Sequence, residues 1–365
     1  MSWLLAFVGF SLLIILHELG HFGAAKAVGM RVERFSLFFP PLVLRKKVGE
    51  TEYALGSIPL GGYVKISGMN PSEDLPEEVR DRAYHAQPVW KRIVVIAAGP
   101  AVNLVLAFVL LFVFFWLIGP ETPTTRVGPI EKGYPAATAL KPGDKLIAVD
   151  GTRARGDVIE RQKAFADQIG SHRCADRNRT KGCPASAPAT IVIERDGRRR
   201  TLELTPIYDP QTKRNRLGFG YQLGPRDTLP AVEALDVTAD RFWFITKATL
   251  ELPARLINPE QRKEISGVVG SYEVTRQTIL TDLEQVVGIL AIISLSLAIV
   301  NLFPFLPLDG GHIFWALVEK VRRKPVPLAV MERASVVGFM LVILIFAIGL
   351  TNDIGRLQGE GFNVR

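Results

Sequence analysis

Two of the chain's five histidines flank a glutamate in the run His17-Glu18-Leu19-Gly20-His21. On an α-helix, positions i and i+4 share a face, so both imidazoles can grip one metal ion while Glu18 stands beside the remaining coordination positions as acid/base for a bound water. The spacing has this meaning only on a helix, and the apolar, membrane-span character of the surrounding residues makes helix nearly obligatory. Accident would produce the pattern on the order of a few times in a thousand for this composition. Three ionisable side chains at membrane depth also cost several kcal/mol unless they are paired or ligated, which makes a functional site the default.

A catalytic zinc takes three protein ligands and one water. The third ligand is expected from NLFPFLPLDGG, residues 301–311, where Asp309 follows an apolar stretch. Pro304 and Pro307 interrupt a helix there, and Gly310 and Gly311 permit close backbone approach. Asp309 could instead cap the next helix, and His312 competes as ligand, so the residues alone leave the choice of acid or histidine open. A structural zinc site would be closed by four protein ligands, and only three are apparent; a catalytically inactive membrane scaffold or chaperone with a zinc site is the alternative reading. A transporter is disfavoured by the absence of a detectable repeat.

The elements that must position these groups follow from the distribution of apolar residues, which make up 48% of 365 positions against 22% charged. Ile93 to Ile118, Val286 to Leu306 and Ala334 to Leu350 hold no charged residue. Each suits a hydrocarbon core about 30 Å thick at about 1.5 Å per residue. Trp3 to Val28 is broken only by the His17–His21 cluster and Lys26, which gives four expected spans. Met1 to Leu16 lacks the Lys or Arg with which a cleaved signal begins. The net charge of +8 raises nucleic acid as a partner, but the basic residues gather after the first span and in the Lys320–Lys324 loop. That placement follows the positive-inside rule, so no nucleic acid is expected. Both basic loops fall on the cytoplasmic side, and both termini and the long Gly119 to Gln285 segment fall outside.

Between the first two spans, Phe35 to Leu44 contains Pro40-Pro41 and cannot be a regular helix, while Thr51 to Ile66 suggests short strands with a turn at Gly61-Gly62. The expectation is a hairpin dipping into the protein's interior at membrane depth, where protein or a wet cavity satisfies its backbone. Ala239 to Leu256 reads as an amphipathic helix, at the outer interface or packed on a neighbouring module. Strands are expected at Ala189 to Glu194 and Arg200 to Thr205, joined through Asp196-Gly197. Residues 135–151, with Lys141-Pro-Gly-Asp144 at their centre, resemble a PDZ domain, a peptide binder that adds a strand to a sheet edge. Cys174 and Cys183 fall on the outer side, where a local disulfide is expected.

Taken together, these pieces resemble the site-2 proteases, in particular the bacterial sigma-E-protease type. The matching pieces are His17–His21, Glu52–Leu55 through Ile58–Val64, Gly99–Asn103, the single PDZ-like stretch, Ile265–Gly267 and Asn301 through Gly310, in the expected order. The resemblance implies an intramembrane zinc endopeptidase with His17, His21 and Asp309 as metal ligands and Glu18 as catalytic residue. It implies a substrate-binding role for Asn301 near the zinc, and the Gly61-Gly62 hairpin offers an edge to an extended substrate. The substrates implied are single-span membrane proteins such as anti-sigma factors, with remnant signal peptides as a second class, and the PDZ module is expected to bind substrate or regulator peptides. One departure is Leu37-Phe38-Phe39-Pro40, where the family often has a Gly-Phe-Gly-type turn.

The expected fold is a multi-pass protein of the inner membrane, mainly α-helical, with four transmembrane helices, a membrane-embedded β-hairpin and an extracytoplasmic α+β PDZ domain. The expected segments are helix 1 at 1–28, a loop with the hairpin at 29–91, helix 2 at 92–118, the PDZ-like domain at 122–208 and a linker with amphipathic helices at 209–285. Helix 3 follows at 286–306, the LDG motif and cytoplasmic loop at 307–333 and helix 4 at 334–351. The active site is expected near the cytoplasmic side of the bilayer.

Overall fold

The computed structural model describes residues 1–70, 73–176, 180–210, 212–262 and 265–358. The chain divides into two compact units, Met1–Ile118 with Leu229–Arg365, and Gly119–Thr228.

In the first unit, helix α1 (Ser2–Ala27) carries the histidines, and the chain leaves it through Gly29 at φ +85°, a left-handed stop that glycine adopts without steric penalty. Two strands follow, β1 (Val32–Val48) and β2 (Thr51–Ile66). Helix α2 (Val89–Ile118) comes next, then α3 (Ala231–Leu250), α4 (Val268–Thr281), α5 (Gln285–Asn301), α6 (Asp309–Arg322) and α7 (Leu328–Gln358). Among the described residues, three helices, α1, α2 and the Ala329–Gln358 part of α7, are long and apolar enough to cross a membrane.

The third expected span is shorter than the sequence suggests. It forms α5, a 17-residue apolar helix ending at Asn301, about 25 Å long at about 1.5 Å per residue. The physical reason is Pro304, which lacks an N–H and whose ring opposes a continuing helix, so Leu302 to Leu308 leaves the helical path. The loop expected after it contains a 14-residue helix, α6, that begins at Asp309 itself. At the fourth span the helix outruns the expected charge-free stretch, with Glu332 and Arg333 near one end and Asp353 near the other. Asp353 is fully buried and accepts from the N–H groups of Gly267 and Gly270 and from Ser266 Oγ, which docks α7 on the start of α4.

The hairpin is more elaborate than expected, and its turn is elsewhere. The chain reverses at Gly49-Glu50, with Gly49 at φ +62°, and Gly61-Gly62 lies inside β2. Val32–Leu37 lies between the two arms of β2, matched with Gly62–Ile66 on one side and with Glu52–Leu55 on the other, while Leu44–Val48 pairs with Thr51–Leu55. In the stretch where a Gly-Phe-Gly-type turn is common, Phe38 occupies the left-handed region at φ +67°, a conformation unusual for a bulky side chain. The adjoining bend presses on Gly56, where a Cβ would sit 2.2 Å from Phe39 O. The Phe39 ring stacks on Tyr63 at 6.2 Å between centroids.

Helix α3, which includes most of the expected amphipathic stretch, packs on the membrane-type helices of its own unit. Its Ile245 is buried in a cluster with Ala107 and Leu111 of α2 and Ala291, Leu295 and Ile299 of α5. Asn103 of α2 is fully buried, and its carbonyl accepts from Ser294 Oγ of α5 at 2.9 Å.

The second unit holds a five-stranded sheet built from β3 (Glu121–Ile130), β4 (Lys145–Val149), β5 (Ala189–Arg195), β6 (Arg198–Leu204) and β7 (Phe219–Arg226), in the order β6-β5-β4-β3-β7. The β5–β6 turn is Asp196-Gly197, with φ of +55° and +73°, as a tight hairpin requires. Helix Val158–Ser171 starts from an Asp157–Glu160 capping box and buries Phe165 and Ile169 among Val127, Leu146, Ile191 and Ile193. Cys174 and Cys183 lie in this unit with their Cα atoms 5.8 Å apart and their sulfurs bonded.

Candidate metal centre

Two imidazoles and a carboxylate converge inside the first unit. His17 and His21 sit one turn apart on α1 and both are buried. Asp309, at the start of α6 and 292 positions beyond His17 in sequence, reaches both, with Oδ2 3.2 Å from His17 Nε2 and 3.4 Å from His21 Nε2. The two Nε2 atoms are 3.2 Å apart. Leu308, not Asp309, is the N-cap residue of α6, and no side chain caps that end, so the carboxylate is free to face the histidines. His312 lines the same cavity, but the three atoms that meet belong to His17, His21 and Asp309.

The donor set fits zinc. Bonds of about 2.0–2.1 Å in a tetrahedron put neighbouring ligand atoms about 3.3–3.4 Å apart, close to the three separations observed. His21 Nδ1 lies 2.9 Å from Val95 O. With the proton on Nδ1, that nitrogen donates to the carbonyl and the Nε2 lone pair is left for a metal, the usual outer arrangement of a ligating histidine. Two nitrogen lone pairs and a carboxylate facing one point repel one another unless a cation or shared protons lie between them.

The room for this arrangement comes from glycines. A Cβ at Gly99 of α2 would fall 2.2 Å from His21 Nε2, and one at Gly20 would fall 2.6 Å from Ala98 O. Helices α1 and α2 therefore meet backbone to side chain at the histidines. Gly62 does the same for the glutamate, since a Cβ there would stand 3.0 Å from Glu18 Cγ.

Beside the three converging atoms is a cavity of about 420 Å³. His17, Glu18, His21, Asp309, Asn301, Gly61 and Gly62 all line it, so every catalytic, metal and substrate residue singled out from the sequence faces one space. Tyr63, Met69, Ile96, Leu297 and Pro307 complete much of the wall. The Val95 carbonyl has no sequence signal, because any residue supplies one. Gly99 carries a weak one, as a glycine inside a helix that asks for a packing reason.

The profile of peptidase family M50 matches residues 5–345. The chain belongs to peptidase family M50. This M50 protein shares 30% identity over 372 residues with a relative from Brucella suis biovar 1, covering 94% of this chain and 92% of that protein. It shares 29% with one from Campylobacter jejuni over 369 residues, covering 96% and 92%, and 29% with one from Nostoc over 356 residues, covering 94% and 93%. Each relative carries a provisional name as a zinc metalloprotease. The resemblance to site-2 proteases drawn from the motifs is thereby established, and with the apolar helices it makes the chain a membrane-integral metalloprotease whose cofactor is zinc.

Proposed function

We propose that this M50 peptidase cuts single-span membrane proteins within or at the edge of the bilayer, with His17, His21 and Asp309 as zinc ligands and Glu18 as catalytic acid/base. The observation that carries the reading is the convergence of these four residues, with Asn301, Gly61 and Gly62, on one cavity. Zinc held there supplies activation of a water and polarisation of the scissile carbonyl. Glu18 accepts the proton from the attacking water and returns it to the leaving amine. The Val95 carbonyl keeps His21 in the tautomer that presents Nε2. In this reading Asn301, at the end of α5 in the cavity wall, donates to the substrate carbonyl as charge develops on it.

A transmembrane helix hides its carbonyls in its own hydrogen bonds and must unwind before it is cut. The Gly62–Ile66 arm of β2 pairs with β1 on one side, and its other side is the edge we assign to the extended substrate. In this reading α5 is the third of four spans, and the hairpin sits at membrane depth. The basic loops, with the metal centre near them, face the cytoplasm, and the protein lies in the inner membrane. The Gly119–Thr228 unit and both termini are extracytoplasmic; that unit is a PDZ-like peptide binder for substrate or regulator segments, stapled by Cys174–Cys183. The substrate class is anti-sigma factors, with remnant signal peptides as a second class.

The test is Glu18→Gln. Cleavage of a model single-span substrate is expected to fall by at least about 10² to 10⁴, the usual share of a general base, while zinc stays near one per chain. Persistent cutting would show that another group moves the proton.

A further inference from the structure

The third ligand sits at the first residue of α6, so whatever fixes α6 fixes the metal centre. Apolar anchoring is confined to one side of the helix, where Ile313 packs half-buried against the cluster that holds Val95 and Ile96. Buried positions on α6 are Gly310, Gly311 and Ala316, while Phe314, Leu317 and Val321 are exposed. At its start the helix presses backbone on backbone, since a Cβ at Gly310 would fall 2.2 Å from Leu302 O and one at Gly311 2.4 Å from Leu306 N. Further along, Glu319 meets a two-pronged partner: Arg92 of α2 donates Nη1 to Oε2 at 2.9 Å and Nη2 to Oε1 at 2.7 Å.

Arg92 is itself 9% exposed. Its guanidinium also faces the Tyr84 ring at 5.9 Å, and burial pushes that phenol up to about 12, so the ring stays neutral beside the cation. Arg92, Val95 and Gly99 are spaced at i, i+3 and i+7, which places them on one stripe of α2. Val95 orients the His21 ring and Gly99 admits it, while Arg92 holds the helix bearing Asp309. One stripe of α2 thus touches the His21 ring and the helix that carries Asp309.

We propose that Arg92 and Glu319 are positioning residues for the metal centre: their half-buried two-pronged ion pair sets the placement of α6 and hence the approach of Asp309 to His17 and His21. The proposal rests on the reading that these three residues hold zinc. Neither Arg92 nor Glu319 lines the cavity, so both act at a distance from the reacting atoms. A planar guanidinium against a carboxylate fixes rotation as well as distance, whereas a lysine ammonium keeps the charge and loses the fork.

The experiment uses the full-length protein in detergent. Zinc affinity is measured by chelator competition, ligand geometry by the visible absorption of the cobalt-substituted protein, and stability by thermal unfolding of the zinc-free form. Arg92→Lys and Glu319→Gln are each expected to weaken zinc binding about 2- to 30-fold, the range for residues that act on a site through an intervening element, and to alter the cobalt spectrum. The exchanged pair Arg92→Glu with Glu319→Arg is expected to recover part of both. If the single variants only lower the unfolding temperature, with wild-type affinity and spectrum in the folded protein, the pair is merely structural and the proposal is overturned. Asp309→Ala separates the two levels. Wild-type zinc affinity in that variant removes the ligand assignment itself; loss of zinc there, with full affinity in Arg92→Lys and Glu319→Gln, removes only the positioning role.

Discussion

Two clusters of buried ionisable groups, one in each unit, are built on opposite principles. In the Gly119–Thr228 unit, Asp144 is 2% exposed and its demands are met locally: Arg195 donates to Oδ1 at 2.7 Å and to Oδ2 at 2.6 Å, and the Lys141 N–H adds a third bond. In the other unit, His17 Nε2, His21 Nε2 and Asp309 Oδ2 stand 3.2 to 3.4 Å apart with no arginine or lysine bonded to any of them among the described residues. The first cluster is a finished ion pair. The second is a set of acceptors aimed at a shared point, which is the arrangement of a metal site. Burial and short distances are common to both, so the difference lies in whether a protein cation completes the set.

The comparison predicts that equivalent damage has different consequences. Removing the carboxylate in Asp309→Ala is expected to give the largest effect, with zinc lost from the chain and cleavage reduced to background; metal analysis on the purified variant checks it. Removing the other carboxylate in Asp144→Ala leaves Arg195 only its bond to the Ala139 carbonyl and is expected to cost about 1.5 to 3 kcal/mol of stability, the worth of hydrogen bonds to a charged group. Denaturant unfolding monitored in the Gly119–Thr228 unit reads that loss, and zinc content is expected to stay at the wild-type level. Gly99→Ala sharpens the contrast, because it adds one methyl group against His21 and no charge. It is expected to weaken zinc binding about 10- to 100-fold, the range for disturbed second-shell support.

The smallest effect is that of acid on the finished pair. Burial pushes the Asp144 carboxyl up, but the Arg195 guanidinium and the Lys141 N–H outweigh it and hold the group below its ordinary value of 3.8. A carboxyl that is more acidic folded than unfolded stabilises the fold fully above its unfolded value. That contribution is lost as pH falls through the lowered folded value. Acid unfolding of the Gly119–Thr228 unit, followed downward from about pH 5, is therefore expected to show a component that Asp144→Asn removes.

Much of the candidate metal centre is legible in the sequence, for a geometric reason. The helical period alone carries His17 and His21 to one face, and the apolar surroundings guarantee the helix. Asp309 is legible only through its motif, since no local pattern tells which residue closes a contact across 292 positions. The hairpin misleads in its turn. Gly49 and Gly61-Gly62 are both turn-type residues, and only pairing registers, which depend on tertiary contact, decide that the chain reverses at the former. Pro304 is visible in the sequence, yet hydropathy carries the expected span through to Leu306, whereas backbone hydrogen bonding ends the helix at Asn301. The Arg92–Glu319 pair, 227 positions apart, leaves no mark on either local sequence.

The most direct measurement is X-ray absorption at the zinc edge of the purified protein, on the wild type and on Asp309→Ala. One zinc per wild-type chain is expected, with two imidazole nitrogens and carboxylate or water oxygens at about 2.0–2.2 Å, and loss of that signal in the variant. A first shell without two imidazoles, or the same spectrum and zinc content in Asp309→Ala, would contradict that expectation.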